Sequence, residues 1–332
     1  MSKAAELAAL IGSQTAQGNS NLIINGNMAI SQRASSYADP TDGTYGSLDR
    51  FAFFNSNDGA FTASQSTTVP SGEGFYYSMK LDCTSTDSSI AAGQYATVYQ
   101  NIEGTNNRIL GYGASGAKSV VVSFYAKSNL TGTFCYNIRN SAVDRSFIKE
   151  FSLSAADTWE RISFVIEGDT SGTWLATNGV GARHMIALSM GSTFHGTNNT
   201  WQSGNKTTTS NQVNFLSSTD NEFFVTGWQV EIGTGAPTAF EHEDYGTTLR
   251  KCNRYFQTVS GRLWGGYGAG ADYLQWWFDG EMRTAPTVTG TTGTVGVDTS
   301  NNGNYRRVHQ VYNPSSSAYA EYSATATADA EL

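Results

Sequence analysis

The stretch Phe223-Phe-Val-Thr-Gly-Trp-Gln-Val-Glu-Ile-Gly-Thr-Gly-Ala-Pro-Thr-Ala-Phe-Glu-His-Glu-Asp-Tyr-Gly-Thr-Thr-Leu-Arg-Lys-Cys-Asn-Arg-Tyr-Phe256 changes character partway along. Its first ten residues carry a strand pattern, Gly233 and Gly235-Ala-Pro237 turn the chain, and an acidic patch follows. Leu249, Cys252 and Phe256 then recur at i, i+3 and i+7, the spacing of one helix face. This change divides the chain. Residues 21–245 read as one large β domain, and 246–332 as a connecting helix with a small β domain. Residues 1–20 read as a short helix and linker.

Composition agrees with a β class. Of 332 residues, 14% are charged and 12% aromatic, whereas about a quarter of an average soluble protein is charged. Long solvated helices would need Glu and Lys that this chain lacks, while small polar and aromatic residues suit strand faces and tight turns. The net charge of −8 comes without a cluster of Lys and Arg. Nucleic acid, which requires a basic face, is therefore not expected as a partner. No apolar run reaches the roughly 18 residues of a membrane span, so membrane insertion is not expected either. The start, Lys3-Ala-Ala-Glu-Leu-Ala-Ala-Leu-Ile, contains an acid and does not read as a signal peptide. Cys83, Cys135 and Cys252 lack CxxC spacing and read as buried free thiols.

Along the chain, Ala4, Leu7, Ala8 and Ile11 form the stripe of a helix over 2–12, capped by Ser2 and ended by Gly12. So short a helix needs a packing partner. From Asn21 the strand signals begin: Leu22-Ile-Ile24 is stopped by Asn25-Gly26-Asn27, and Met28–Arg33 follows. Further strands are expected at 50–55, 60–66, 75–82, 94–102, 118–127, 132–138, 146–151, 159–166, 184–190 and 222–232. Turn residues separate them, the pattern of a sandwich or jelly roll. The largely apolar 118–127 reads as a central strand covered on both faces. Residues 191–214, rich in Asn, Thr and Gly, read as a long loop of the kind that carries function. After Phe256 come four or five strands with few aliphatics. That unit would be marginal alone and is expected to bury its aromatic faces against the large domain or other subunits.

Catalytic constellations are weak. Gly111-Tyr-Gly113-Ala-Ser-Gly116 matches GxGxxG but precedes a strand where a phosphate loop would open a helix. Glu231, Glu241, Glu243 and Asp244 contain enough acids for glycoside hydrolysis, yet acids beside a helix start have a plain electrostatic role. His184, His195, His242 and His309 show no metal spacing. No cofactor, metal site or catalytic residue is expected. The C-terminal aromatics Trp264, Tyr267, Tyr273 and Trp276 are candidates for stacking on sugars. Filling a thin core explains them equally well. In a strand Trp276 and Trp277 point to opposite faces, so at most one lines a given surface.

Several segments, in order over about residues 21–290, resemble a family of bacteriophage tail-fibre and other virion adhesin proteins. Asn21-Leu-Ile-Ile-Asn-Gly-Asn-Met-Ala-Ile-Ser-Gln-Arg33 is similar to the opening motif of that family, with Leu48-Asp-Arg50 its sequel. Gln100-Asn-Ile-Glu-Gly104, Ser119–Lys127, Trp159–Ile162, Val225-Thr-Gly-Trp-Gln-Val-Glu231, Phe240-Glu-His242, Cys252-Asn-Arg-Tyr-Phe256 and Met282-Arg-Thr-Ala-Pro-Thr287 continue the match. Trp228 stands where an aliphatic is usual, Val230 where Leu is, and Glu243 where Arg is. The resemblance implies a carbohydrate-binding-module-like jelly roll assembled as a fibre, commonly a homotrimer, and brings no catalytic motif.

The expectation is an all-β chain: a jelly-roll β-sandwich with a short N-terminal helix and a small C-terminal β domain after a connecting helix. Its expected role is a non-enzymatic tail-fibre or tail-tip protein, made in the host cytoplasm and carried in the virion tail. Its expected partners are copies of itself, other tail proteins through residues 1–20, and host surface polysaccharide. The rivals are a purely structural connector or decoration protein and a glycan depolymerase. Recognition is expected in the 191–214 loop or after Phe256, with the acids of 223–256 shaping a junction.

Overall fold

The computed structural model describes residues 21–41, 43–265, 272–290, 294–297, 307–312 and 320–332. The helix expected at 2–12 lies outside them. The core is a jelly roll of two six-stranded antiparallel sheets. In chain order its strands are β1 (Ser36–Ala38), β2 (Ala52–Asn55), β3 (Ala60–Ser66), β4 (Ser78–Ser85), β5 (Tyr95–Glu103) and β6 (Val120–Ser128). Then follow β7 (Gly132–Arg139), β8 (Arg145–Leu153), β9 (Glu160–Ile166), β10 (Val180–Met190), β11 (Trp201–Ser203) and β12 (Glu222–Ile232). The first sheet runs β1-β3-β4-β12-β6-β9 and the second β11-β8-β7-β10-β5-β2.

Apolar alternation on facing strands makes the core. Val120, Val122, Phe124 and Ala126 of β6 meet Phe134, Tyr136 and Ile138 of β7 and Val98 and Ile102 of β5. β12 enters this layer out of phase with itself. Thr226 pairs with Tyr125 and Gln229 with Ser123, so β12 takes three steps where β6 takes two. The extra residue is a β-bulge, and Gly227 sits in it at φ 63°. A Cβ on Gly227 would lie 2.6 Å from the Phe75 ring. The bulge moves the buried set from odd to even positions, Phe223 and Val225 before it, Trp228 and Val230 after it.

Residues 21–30 correct one reading. Leu22–Ile24 is a turn segment, not a strand. The Leu22 N–H donates to the Val230 carbonyl of β12, but the next groups go to side chains: the Ile23 N–H donates to Asn21 Oδ1, and Ile24 exchanges two hydrogen bonds with the Gln100 amide. The Asn25 amide donates to the carbonyls of Ile30 and Asp49. The segment wraps Trp228, whose backbone N–H donates to the Gly26 carbonyl at 3.0 Å. Gly26 is required there, because a Cβ would sit 2.1 Å from the Trp228 carbonyl oxygen.

The C-terminal region contributes β13 (Phe256–Gly265), β14 (Asp272–Trp277), β15 (Thr287–Gly290), β16 (Thr294–Val297), β17 (Arg307–Tyr312) and β18 (Ala320–Asp329). They form two three-stranded sheets, β13-β18-β15 and β14-β17-β16. The connecting helix spans Tyr245–Asn253, and Phe256 already belongs to β13. Asp244 caps that helix by accepting from the Thr247 N–H, as its position predicts.

The segments that carry the family resemblance converge where these sheets meet the jelly roll. The Arg50 guanidinium is buried, pairs with Glu331 and lies 3.4 Å over the Tyr255 ring. Arg33 pairs with Asp329 at 2.9 Å and covers the Phe256 ring at 3.7 Å. Glu103 receives Arg254 through two hydrogen bonds and the Tyr255 hydroxyl through a third. Burial alone would raise the Glu103 carboxyl, but these donors and Thr105 outweigh it and hold it below its ordinary value. Arg283 donates to the carbonyls of Ala330 and Glu331.

The core also holds a polar chain. Trp228 Nε1 donates to the Tyr136 hydroxyl at 3.3 Å, and that hydroxyl meets His184 Nδ1 at 2.7 Å. The other ring nitrogen, Nε2, is buried without a partner. Burial pushes His184 from 6.5 down to about 3. The unfolded chain therefore binds a proton that the folded chain refuses between those values. Stability should fall by about 1.4 kcal/mol per pH unit as pH drops below 6.5. Urea unfolding of the wild type and of His184→Gln between pH 7 and 4 checks this. The gap between the two proteins should change with pH, and a constant gap overturns the expectation.

Candidate functional site

β9 ends one sheet order and β11 the other, so the two free edges meet on one side of the sandwich. A cleft of about 510 Å³ opens there. Arg145 and Phe147 of β8 and Val165 of β9 form its walls, with Glu167–Ser171 on one rim and Asn199–Trp201 on the other. The rims are tied together, since Trp201 Nε1 donates to the Glu167 carbonyl at 2.7 Å. The Trp201 ring packs on Phe147 at 5.2 Å and edge-on to Trp174 at 5.6 Å. Below both rings lies Tyr112, whose buried hydroxyl has no hydrogen-bond partner. Burial raises that phenol above its ordinary value.

Arg145 fixes the rim by binding both oxygens of the buried Asp169, at 2.8 and 2.7 Å. This hydrogen-bonded pairing raises the Arg145 guanidinium. Asp169 is thereby fully engaged, which leaves Glu167 as the exposed carboxylate among the lining residues. Asn199 takes a left-handed φ of 60°, and Lys149 donates to its side-chain oxygen at 2.9 Å. The cleft thus offers a fixed indole, an amide, hydroxyls from Thr170, Ser171 and Thr200, and one carboxylate. It presents hydrogen-bonding groups around an aromatic surface.

The 191–214 segment, expected as a loop, is a built element. It holds a 3₁₀ turn at Ser192–Phe194 and β11, and buries Thr207, Thr208 and Thr209 across the outer face of the second sheet. Trp201 itself escaped the sequence reading. The available signal was a tryptophan inside an Asn/Thr-rich stretch, Asn198-Asn-Thr-Trp201.

The backbones of Trp264, Tyr273 and Trp276 lie in β13 and β14, opposite Glu321, Val311 and Val308. Tyr267 lies outside the described residues, as do the side chains of the other three. The acids of 223–256 each have a local task. Glu231 accepts from the backbone and hydroxyl of Thr238, Glu241 from the Asn21 N–H, and Glu243 pairs with Lys251. Glu243, which stands where the family has Arg, is thus matched by a lysine one helix away. Cys83, Cys135 and Cys252 are buried free thiols, raised by burial. Among the described residues no cluster of His, Cys, Asp and Glu is arranged to hold a metal. None of the described helices is long and apolar enough to cross a membrane.

No family model matches the chain, and no curated protein does. Among solved structures, the enzymatically active domain of bacteriophage CBA120 tailspike protein 4 aligns at 13% identity and TM-score 0.33 over 64% of this chain. That alignment spans 21% of the tailspike chain. A putative sugar-binding protein from Bacteroides thetaiotaomicron aligns at 14% identity and TM-score 0.36, over 64% of this chain and 100% of its own. The C-terminal family 22 carbohydrate-binding module of Clostridium thermocellum Xyn10B gives 11% and 0.32, over 60% and 96%. Likenesses this distant carry no argument about what the chain binds.

Proposed function

We propose that this chain is a non-enzymatic, glycan-binding component of a phage tail. The observation that carries the binding part is the cleft beside Trp201, where an indole held at both its ring and its N–H faces amides and hydroxyls. Sugars present apolar C–H faces ringed by hydroxyls, and such a surface complements both. The same cleft favours binding over hydrolysis. Cleavage by paired carboxylates needs two acids about 5–9 Å apart and free to act, and Asp169 is locked on Arg145. The tail assignment, with homotrimeric assembly, rests on the ordered segments from Asn21 to Thr287 that resemble the virion adhesins.

Trp201→Ala should weaken binding to host surface polysaccharide about tenfold or more, the scale of one lost aromatic contact with its area burial. Trp201→Phe should retain part of it. Equilibrium binding to purified host polysaccharide measures the effect, with circular dichroism confirming the fold. Equal binding by the wild type and Trp201→Ala would remove the cleft from consideration. Release of reducing sugar would turn the protein into a depolymerase, and a strict monomer in native mass spectrometry would count against the fibre.

A further inference from the structure

Two parts of the chain cover the outer face of the second sheet on either side of two arginines. From the loop side, Asn137 donates to the Lys206 carbonyl and the Cys135 thiol meets the Thr209 hydroxyl. From the C-terminal side, Asn101 and Tyr45 donate to the Leu332 carbonyl. Between these covers Arg139 of β7 and Arg183 of β10 stand directly opposite each other across the strands. Arg139 is buried, at 6% exposure, and donates to the Asn205 side-chain oxygen. Arg183 is half-buried, donates to Asn101 Oδ1 at 2.7 Å and lies 4.1 Å over the Tyr99 ring.

Like charges directly opposite in an antiparallel pair destabilise it, and buried cations are normally paired. Neither arginine takes part in an ion pair among the described residues. Burial and the neighbouring Arg183 push Arg139 down to about 10, which still leaves a cation at neutral pH. The other fully buried guanidinium among the described residues, that of Arg50, has a carboxylate partner in Glu331. Among the described residues the Arg139–Arg183 pair is met by neutral groups, the Asn205 and Asn101 amides and the Tyr99 ring. These residues supply two positive charges and no counter-charge to them.

We propose that Arg139 and Arg183 form an anion subsite that takes the acidic group of a charged sugar. This rests on the glycan reading above and narrows its ligand class. A guanidinium fork binds a carboxylate or phosphate through two parallel hydrogen bonds, and the Tyr99 ring and the Asn205 and Asn101 amides suit the neutral part of a sugar. One loop serves both places, lining the cleft with Asn199–Trp201 and gripping Arg139 with Asn205.

Two measurements on the full chain test this. In the first, thermal midpoints of the wild type and Arg183→Gln are compared in sodium sulfate and in sodium chloride at equal ionic strength. Sulfate stabilises proteins generally, so the readout is the extra rise in the wild type. Equal rises overturn the subsite whatever the glycan. In the second, calorimetry compares trigalacturonate with its methyl ester, and mannose 6-phosphate with mannose. The expected result is tenfold or greater preference for one charged form, lost in Arg183→Gln and in Arg139→Gln. Preference for trigalacturonate assigns a carboxylate, and preference for mannose 6-phosphate assigns a phosphate. Charged and neutral sugars held alike, through Trp201, would overturn the acidic ligand and leave the glycan reading standing. A sulfate effect present with no sugar held at all would overturn that reading instead, and the acidic sugar with it.

Discussion

Trp228→Ala should cost about 3–5 kcal/mol of folding stability, the range for truncating a fully buried large aromatic. The indole is fully buried, with the Phe51, Tyr136 and Phe124 rings at 5.7, 5.8 and 6.2 Å. Its N–H also satisfies the Tyr136 hydroxyl. Truncation leaves a cavity at the centre of the sandwich, while the backbone bonds of residue 228 to Asn21 and Gly26 remain. Trp228→Leu, which keeps an aliphatic in the core, should recover part of the loss. The midpoint of chemical denaturation at pH 7 reads both. A loss below about 1 kcal/mol for the alanine variant would mean that the core closes around the gap.

Glu331→Ala should cost a similar amount, about 3–5 kcal/mol, because it leaves the Arg50 charge buried and unpaired. Side-chain exposure is 1% for Arg50 and 5% for Glu331, so solvent cannot replace the lost partner. A second measurement separates the missing pair from the stranded charge. The double variant Arg50→Met with Glu331→Met removes both charges, and buried ion pairs replaced by apolar residues of similar volume are often neutral or better. The double variant should therefore be more stable than Glu331→Ala. If it is the weaker of the two, the pair contributes through its own geometry, including the Arg50 stack on Tyr255.

Much of the architecture was legible in the sequence because it depends on local alternation and turns. Ala60–Ser66 and Glu222–Ile232 were expected with the bounds the structure shows, and β5 to β10 with ends displaced by a few residues. Leu22–Ile24 misled because an apolar run between turn residues looks the same whether its backbone pairs along a strand or with side chains such as those of Asn21 and Gln100. The bulge at Gly227 was hidden for a related reason. One glycine in a strand says nothing of which neighbour it will meet, and Phe75 is far away in the chain. The site was less legible still. The 191–214 loop could be singled out by composition, but Trp201 becomes part of a cleft only through Phe147 and the Glu167 carbonyl. Arg139 and Arg183 look like ordinary strand residues until β7 and β10 pair. The resembling segments, legible as a set, meet mainly at the junction of Arg33, Arg50, Glu103, Arg254 and Tyr255, so they report on assembly of the fold more than on recognition.

The position of β12 also sets a timetable. It lies between β4 and β6 yet follows both by a long stretch of chain. Until residue 232 is available, the first sheet exists as two separate fragments, β1-β3-β4 and β6-β9, whose inner edges have no partner. Synthesis at about 5–20 residues per second leaves those edges open for several seconds. Unpaired edges invite pairing with other chains, and loop closure over such separations slows folding. A chain made in many copies on neighbouring ribosomes would meet that hazard at its worst, so the late arrival of Phe223–Ile232 is the step at which a chaperone has most to gain by waiting.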